Sequence, residues 1–271
     1  MCGIHLILDK HHQSNSQHPQ ALRRMLDASE HRGPDTSATL SLPYQNGSLH
    51  LGSNRLKIID PHQRANQPMQ SADGRYSLCF NGIIYNYFEL RNQLLGEGVQ
   101  FNTQSDTEVL MHMLIQQGKQ ALPLLNGMFS LFFYDAHEEK LLIARDRFGM
   151  KPLFYTEEEG RLLFSSETRA LTRSGLVSKK LRKEAIHEYL AFRYVFPPAT
   201  FFEGIYQFPA GHYQEIGNDG AGKQEAFSSP AEQEVVPESQ ALREVEELLT
   251  DAVLRHLVAD VNSGLLLSGG V

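Results

Sequence analysis

The chain has 271 residues, a length that allows one large domain or two ordinary ones. Hydrophobic residues make up 41%, enough for a proper core, yet no apolar run approaches the roughly 20 residues that span a bilayer. A net charge of −7 speaks against nucleic-acid or membrane-surface partners, and two cysteines, Cys2 and Cys79, exclude a disulfide framework and make a reducing cytosol the simplest home.

The chain opens on Met1-Cys2-Gly3-Ile4. A small second residue lets the methionine be removed, which would leave Cys2 with a thiol and a free α-amine on one residue. That amine has an ordinary pKa of about 7.7–8.0, so part of it is an unprotonated base at neutral pH that can take the thiol proton. The apolar stretch after Cys2 ends at Leu8, too short for a secretory signal. Residues 3–8 read as a buried strand, and Asp9-Lys10-His11-His12 as a solvated hairpin tip. Residues 19–29 read as a helix with Pro19 in its first turn and Leu22, Met25 and Leu26 on one face. A turn, His31-Arg32-Gly33-Pro34-Asp35, follows.

Short strands are then expected at 49–54, 76–80, 128–134, 141–144, 153–155 and 162–165, most of them separated by turn residues. Helices are expected to start near Asn86 and Ser105. Each has a glutamate three residues on, Glu89 and Glu108, in the spacing of a capping box. Cys79, in an apolar run, reads as a buried structural thiol. Many short strands with few helices suggest an α+β sandwich. Residues 215–238, rich in Gly, Glu, Gln, Ser and Pro, read as a linker. An amphipathic helix follows, with Leu242, Val245, Leu249, Val253 and Leu257 in register. A buried strand at 264–267 then opens onto Ser268-Gly269-Gly270. That divides the chain into a domain at 1–214, the linker at 215–238 and, at 239–271, the opening of an α/β domain whose body is absent.

Hydrolysis of an amide by a thiol needs oxyanion donors and groups that hold the substrate. Asn81-Gly82, at the end of the 76–80 strand, can offer a side-chain and a backbone N–H side by side. The same pair is also a common tight turn. Arg55 can clamp a carboxylate or be an ordinary surface arginine. Asp106, in a first helical turn, can hold an ammonium. Leu267-Ser268-Gly269-Gly270 can cradle phosphate or simply turn the chain. The twelve histidines show no metal spacing and read as surface or packing residues, so no metal ligand is assigned.

Together, Met1-Cys2-Gly3-Ile4, His31 to Asp35, Arg55-Leu56, Asn81-Gly82 with Ile84-Tyr85-Asn86, Ser105-Asp106-Thr107-Glu108, Gly127-Met128-Phe129, Arg145-Asp146-Arg147-Phe148-Gly149-Met150-Lys151-Pro152-Leu153 and Ser166-Glu167 resemble the glutamine-hydrolysing asparagine synthetases. These are class II glutamine amidotransferases. The resemblance implies an N-terminal-nucleophile fold, an αββα sandwich of two antiparallel sheets. Cys2 would attack the glutamine side-chain amide, Asn81 and Gly82 would form the oxyanion hole, Arg55 would hold the α-carboxylate and Asp106 the α-ammonium. Leu267 to Gly270 would begin an ATP-pyrophosphatase loop. No cofactor is implied for glutamine hydrolysis; ATP and Mg²⁺ would serve the aspartate-amidating step of a complete enzyme. Expected partners are glutamine and a synthetase domain or chain that receives ammonia, with a homodimer left open.

Two positions depart from the family pattern. Ile83 stands where glutamate is common, and Ser53 where histidine is frequent. Together with the stop at Val271 they leave other expectations beside an asparagine synthetase fragment: a glutaminase serving another acceptor, or a non-catalytic docking module. The chain is not expected to make asparagine by itself.

Overall fold

The computed structural model of the chain describes residues 2–10, 17–218, 220–228, 236–264 and 269. It begins with β1 (Gly3–Asp9), buried along its whole length, and α1 (Gln17–Ala28), which buries Ala21, Leu22, Met25 and Leu26. Then come β2 (Thr36–Tyr44), β3 (Gly47–Arg55), β4 (Met69–Gln70) and β5 (Tyr76–Ile84). Two helices, α2 (Tyr87–Gly96) and α3 (Asp106–Gln117), precede β6 (Gly127–Asp135), β7 (Lys140–Arg145), β8 (Phe154–Glu158) and β9 (Arg161–Ser165). The rest is α4 (Thr168–Arg173), α5 (Lys183–Phe192), β10 (Tyr206–Gln207), β11 (His212–Gly217), β12 (Gly220–Ala221), β13 (Glu225–Ala226) and α6 (Glu238–His256).

The strands form two antiparallel sheets. One runs β10-β8-β9-β1-β3-β2; the other runs β12-β11-β7-β6-β5-β4, with β13 also on β11. Three apolar clusters explain the layering. Ile4, Leu6 and Phe164 of the first sheet meet Cys79, Phe132 and Ile143 of the second in a core between the sheets. Leu22 and Met25 of α1, with Leu171 of α4, cover the outer face of the first sheet against Ile7 and Leu163. Leu90 and Leu94 of α2 and Val109 and Met113 of α3 cover the outer face of the second against Leu78 and Leu131. The result is a helix–sheet–sheet–helix sandwich, as the resemblance implied. Each sheet alternates its side chains between the central core and its own helices.

Several local expectations are corrected. Residues 36–44, for which the sequence suggested no element, form an edge strand whose alternation is carried by Thr, Ser and Ala as much as by Leu. β5 does not stop at Phe80: Asn81 and Gly82 lie inside it, opposite Ser130 and Phe129 of β6. Asn86 makes no capping box. Its amide bridges instead to the Leu124 carbonyl and the Asn126 N–H, at 3.0 and 2.9 Å. Ser105 does cap α3, its Oγ accepting from Glu108 N at 3.3 Å. Asp9 is no hairpin tip but a buried residue 3.3 Å from His18 Nε2; His11 and His12 lie outside the described residues. The first part of the expected linker continues the second sheet, since β11 runs to Gly217 and β12 and β13 follow.

The helix expected after the linker is α6, and its apolar stripe is exposed at Leu242, Val245, Leu249, Val253 and Leu257. Its C-terminal end rests on the sandwich, where Tyr85 Oη meets His256 Nε2 at 2.8 Å and Arg255 pairs with Glu89 at 3.3 Å. The strand expected at 264–267 and the loop residues Ser268 and Gly270 fall outside the described residues, apart from Gly264 and Gly269, both exposed. No helix among the described residues is long and apolar enough to cross a membrane.

Candidate active site

Cys2 stands immediately before β1, the strand between β3 and β9 at the middle of the first sheet. Its backbone is held by two of the motifs singled out above. Arg32 Nε donates to the Cys2 carbonyl at 3.1 Å, and Arg32 Nη1 donates to Glu167 Oε1 at 3.0 Å. His31 Nε2 meets that same carboxylate oxygen at 2.8 Å. On the next residue but one, Ile4 N donates to Ser166 Oγ and Ser166 N to the Ile4 carbonyl, at 3.1 and 3.0 Å. Gly33 lets the turn pass this close: a Cβ there would sit 2.4 Å from the Asn54 carbonyl oxygen. Asp35 closes the turn by accepting from Lys57 N at 2.8 Å.

The Cys2 thiol lies 3.8 Å from the Leu56 carbonyl oxygen. Burial pushes the thiol pKa up, against the pull of the N-terminal positive charge and Arg55. Cys2, Arg55, Asn81, Gly82, Asp106 and Lys151 all line one cavity of about 100 Å³. Every residue proposed from the sequence for the glutamine chemistry is therefore brought to one place.

Asn81 is 1% exposed, and neither its Nδ2 nor its Oδ1 has a hydrogen-bond partner among the described residues. A buried amide left unpartnered costs about 1–3 kcal/mol, so its retention at a cavity wall points to a ligand group it serves. Gly82 is required by packing: a Cβ there would lie 2.1 Å from the Met128 carbonyl oxygen. Arg55, at the end of β3, is 4% exposed and so not a surface arginine. Its Nη2 donates to the Ile59 and Asp60 carbonyls at 2.9 and 2.7 Å, and its Nη1 to the His62 carbonyl and Asn66 Oδ1 at 3.2 and 3.0 Å. The loop after β3 is thus wrapped on the guanidinium. A substrate carboxylate would share those N–H groups or displace a carbonyl, and a charge-assisted bond is the stronger of the two. Asp106, the first residue of α3, is 5% exposed and accepts from Ile84 N at 3.1 Å. Burial raises its pKa to about 6.

Sequence reasoning did not single out Lys151. It closes the 145–151 loop, which is shaped from within. Arg145 donates to the carbonyls of Lys151, Phe208 and Gly149 at 2.7, 2.5 and 2.6 Å. The Asp146 carboxylate accepts from the backbone N–H groups of Phe129, Phe148, Met150 and Lys151, at 3.0–3.1 Å. Phe129 is the register partner of Gly82, so this loop is tied to the expected oxyanion strand. Lys151 is 4% exposed, and its ammonium makes no hydrogen bond or ion pair among the described residues. Burial lowers its pKa, as does Arg32, while Cys2 and Asp146 pull it up. The run 145–153 carried the signal as a motif, but nothing in it told which member reaches the cavity.

Ile83 lines the same cavity, and Ser53 is buried with its hydroxyl unpartnered among the described residues. Cys79 is fully buried between the sheets, its thiol pKa raised by burial. No group of three His, Cys, Asp or Glu side chains among the described residues is arranged to hold a metal ion.

Residues 1–227 match the family model described as glutamine amidotransferase domain, and residues 244–271 match that of asparagine synthase. The chain is 33% identical over its whole length to asparagine synthetase [glutamine-hydrolyzing] 1 of Bacillus subtilis, of which it spans 42%. It is 29% identical, again over its whole length, to amidase chyE of Penicillium rubens, of which it spans 41%. Among solved structures, the glutamine phosphoribosylpyrophosphate amidotransferase of B. subtilis superposes with a TM-score of 0.62 at 22% identity, covering 84% of this chain and 50% of that one. That likeness concerns the fold of the two-sheet sandwich.

Proposed function

We propose that this chain, which belongs to the glutamine amidotransferase domain family over residues 1–227, hydrolyses glutamine at Cys2 and serves as the ammonia-releasing half of a glutamine-hydrolysing asparagine synthetase. The observation that carries the reading is the meeting of Cys2, Arg55, Asn81, Gly82 and Asp106 at one cavity, with the Asn81 amide buried and unpartnered among the described residues.

With Met1 removed, the Cys2 sulfur attacks the side-chain amide carbon of glutamine while the α-amine takes the thiol proton. The carbon–sulfur bond forms and the carbonyl oxygen becomes an oxyanion, which accepts from Asn81 Nδ2 and Gly82 N. Such a donor typically contributes 10²–10³ in rate. The α-amine passes its proton to the leaving nitrogen, the carbon–nitrogen bond breaks, and ammonia departs. Water then attacks the thioester and releases glutamate. Arg55 and Asp106 hold the α-carboxylate and α-ammonium and so align the amide with the sulfur. Lys151 adds a positive charge beside the developing thiolate.

Ammonia would pass to a synthetase module that amidates aspartate with ATP and Mg²⁺ in the cytoplasm. Residues 239–271 would open that module, after a glutaminase domain over 1–214 and a linker. The glutaminase step derived above uses neither ATP nor metal. The reading is tested by glutamate release from glutamine by the purified chain, with its intact mass recorded and Cys2→Ala in parallel. Thiol-dependent release, lost in Cys2→Ala, is expected. An undiminished Cys2→Ala rate would reject the mechanism.

A further inference from the structure

Among the described residues after α6, Asp260 reaches the loop around Arg55. Asp260 Oδ2 accepts from Asp60 N at 2.7 Å, and Asp260 N donates to the Ile58 carbonyl at 3.0 Å. Two bonds running in opposite directions clip residues 58–60 as a ladder rung would. The clipped turn is a special one. Asp60 has φ +44, in the left-handed region that aspartate enters more readily than most residues but that still needs support from its surroundings. It is 2% exposed.

From Asp60 the contacts fan out to both substrate-holding groups. Its carbonyl, with that of Ile59, takes both bonds of Arg55 Nη2. Its carboxylate accepts from Gln104 N at 2.7 Å, two residues before Asp106, and from His62 N and Arg64 Nε at 3.3 Å. Ile58 and Ile59 themselves line the cavity beside Cys2. At the end of α6, Arg255 with Glu89 and His256 with Tyr85 reach the α2 side, and Val258 packs on the apolar cluster that includes Ile59.

We propose that Asp260, within the stretch that matches the asparagine synthase family, is a positioning residue for glutamine: it fixes the Ile58–Asp60 turn around Arg55 and thereby ties glutamine binding to the placement of the synthetase module. The inference rests on the reading of Arg55 and Asp106 as the glutamine-holding pair. Removal of the Asp260 carboxylate loosens the turn and the two carbonyls that hold Arg55 Nη2, while Nη1 stays on His62 and Asn66, and so weakens binding of any ligand that needs the carboxylate clamp. The sulfur and its neighbours on β1 are untouched.

The test uses two reagents on the full chain. A diazoketone analogue of glutamine labels Cys2 with saturation because it needs the clamp; iodoacetamide labels the thiol without it. In Asp260→Ala the half-saturating concentration of the diazoketone is expected to rise roughly tenfold with the limiting rate within about twofold. Iodoacetamide labelling should match wild type. Asp260→Asn, which keeps an acceptor for Asp60 N, should restore the wild-type value, and Arg255→Ala should never depart from it. An unchanged or lowered half-saturating concentration in Asp260→Ala would overturn the proposal, as would an equal loss with both reagents. Saturable labelling of wild type with no effect of Asp260→Ala removes this inference and leaves the glutaminase reading standing. Wild type that the diazoketone does not label saturably removes both.

Discussion

Arg32 Nε holds the Cys2 carbonyl oxygen at 3.1 Å while its Nη1 is itself held by Glu167 at 3.0 Å, so two sequence-distant motifs fix the residue that precedes β1. With Met1 removed, as proposed, a nucleophilic Cys2 has a neighbour on one side only. Its main chain must be anchored by side chains if the sulfur is to stay within bonding reach of an amide carbon.

Arg32→Ala is therefore expected to lower kcat for glutamine roughly 10²-fold, the cost of a reacting atom displaced by about 1 Å. Arg32→Lys should recover little, because one ammonium cannot reach both the Cys2 carbonyl and the Glu167 carboxylate in the planar fork that arginine provides. Steady-state glutamate release by the two variants checks both statements. Iodoacetamide labelling of Cys2, which needs no aligned amide, should change far less than kcat.

Asn81→Ala separates stability from catalysis. Loss of one oxyanion donor should cut kcat about 10²–10³-fold with a much smaller change in KM. A buried side chain cut back to alanine ordinarily destabilises. Here both polar atoms of the amide lack partners among the described residues, so removing them also removes a desolvation cost of about 1–3 kcal/mol. Urea unfolding should show a variant no less stable than wild type by more than about 1 kcal/mol. A large loss of stability would mean that the amide has a structural partner instead.

How far the site was legible follows from what each residue needs. Cys2 was legible because its position in the chain is itself the chemical signal. Ser105-Asp106-Thr107-Glu108 was legible because a helix start is local, although Glu108 spends its carboxylate on Asn102 and Thr103, not on the Ser105 N–H. Asn81-Gly82 was ambiguous: what makes it a strand interior is β6, some fifty residues on, whose Met128 carbonyl excludes any side chain at Gly82. β2 was missed because an edge strand half open to water needs few apolar residues. Lys151 was missed because its place in the cavity depends on the Arg145 and Asp146 bonds that fold the 145–151 loop.

The position of Lys151 leads to a pH prediction. Burial of Cys2 disfavours its thiolate, while Lys151 at the same cavity has its own pKa pulled up by Cys2, so the two favour each other's charged form. In Lys151→Met the Cys2 thiol pKa should rise, and iodoacetamide labelling at pH 7 should slow roughly tenfold, with the wild-type rate regained at higher pH. Lys151→Arg should retain most of the wild-type profile if charge is what matters. A Lys151→Met profile that superposes on wild type would assign the lysine to packing alone.

Asp106 gives the opposite combination of gain and loss. Its pKa is raised from 3.8 to about 6 by burial, so between those values the folded chain binds a proton that the unfolded chain has released. The stability this confers is complete below pH 3.8 and is lost as pH rises through 6; above that the buried carboxylate costs about 3 kcal/mol. Asp106→Asn keeps the shape, and an acceptor for the Ile84 N–H, without the charge. Its melting temperature should exceed that of wild type at pH 7.5, and the difference should vanish below pH 4. The same substitution removes the proposed partner of the glutamine ammonium, so KM should rise at neutral pH. For wild type, KM should climb as pH falls through 6 and Asp106 takes up its proton. Thermal melts and glutamate release measured across one pH series test both halves together. A KM for wild type that stays flat between pH 5 and 8 would remove Asp106 from the ammonium site.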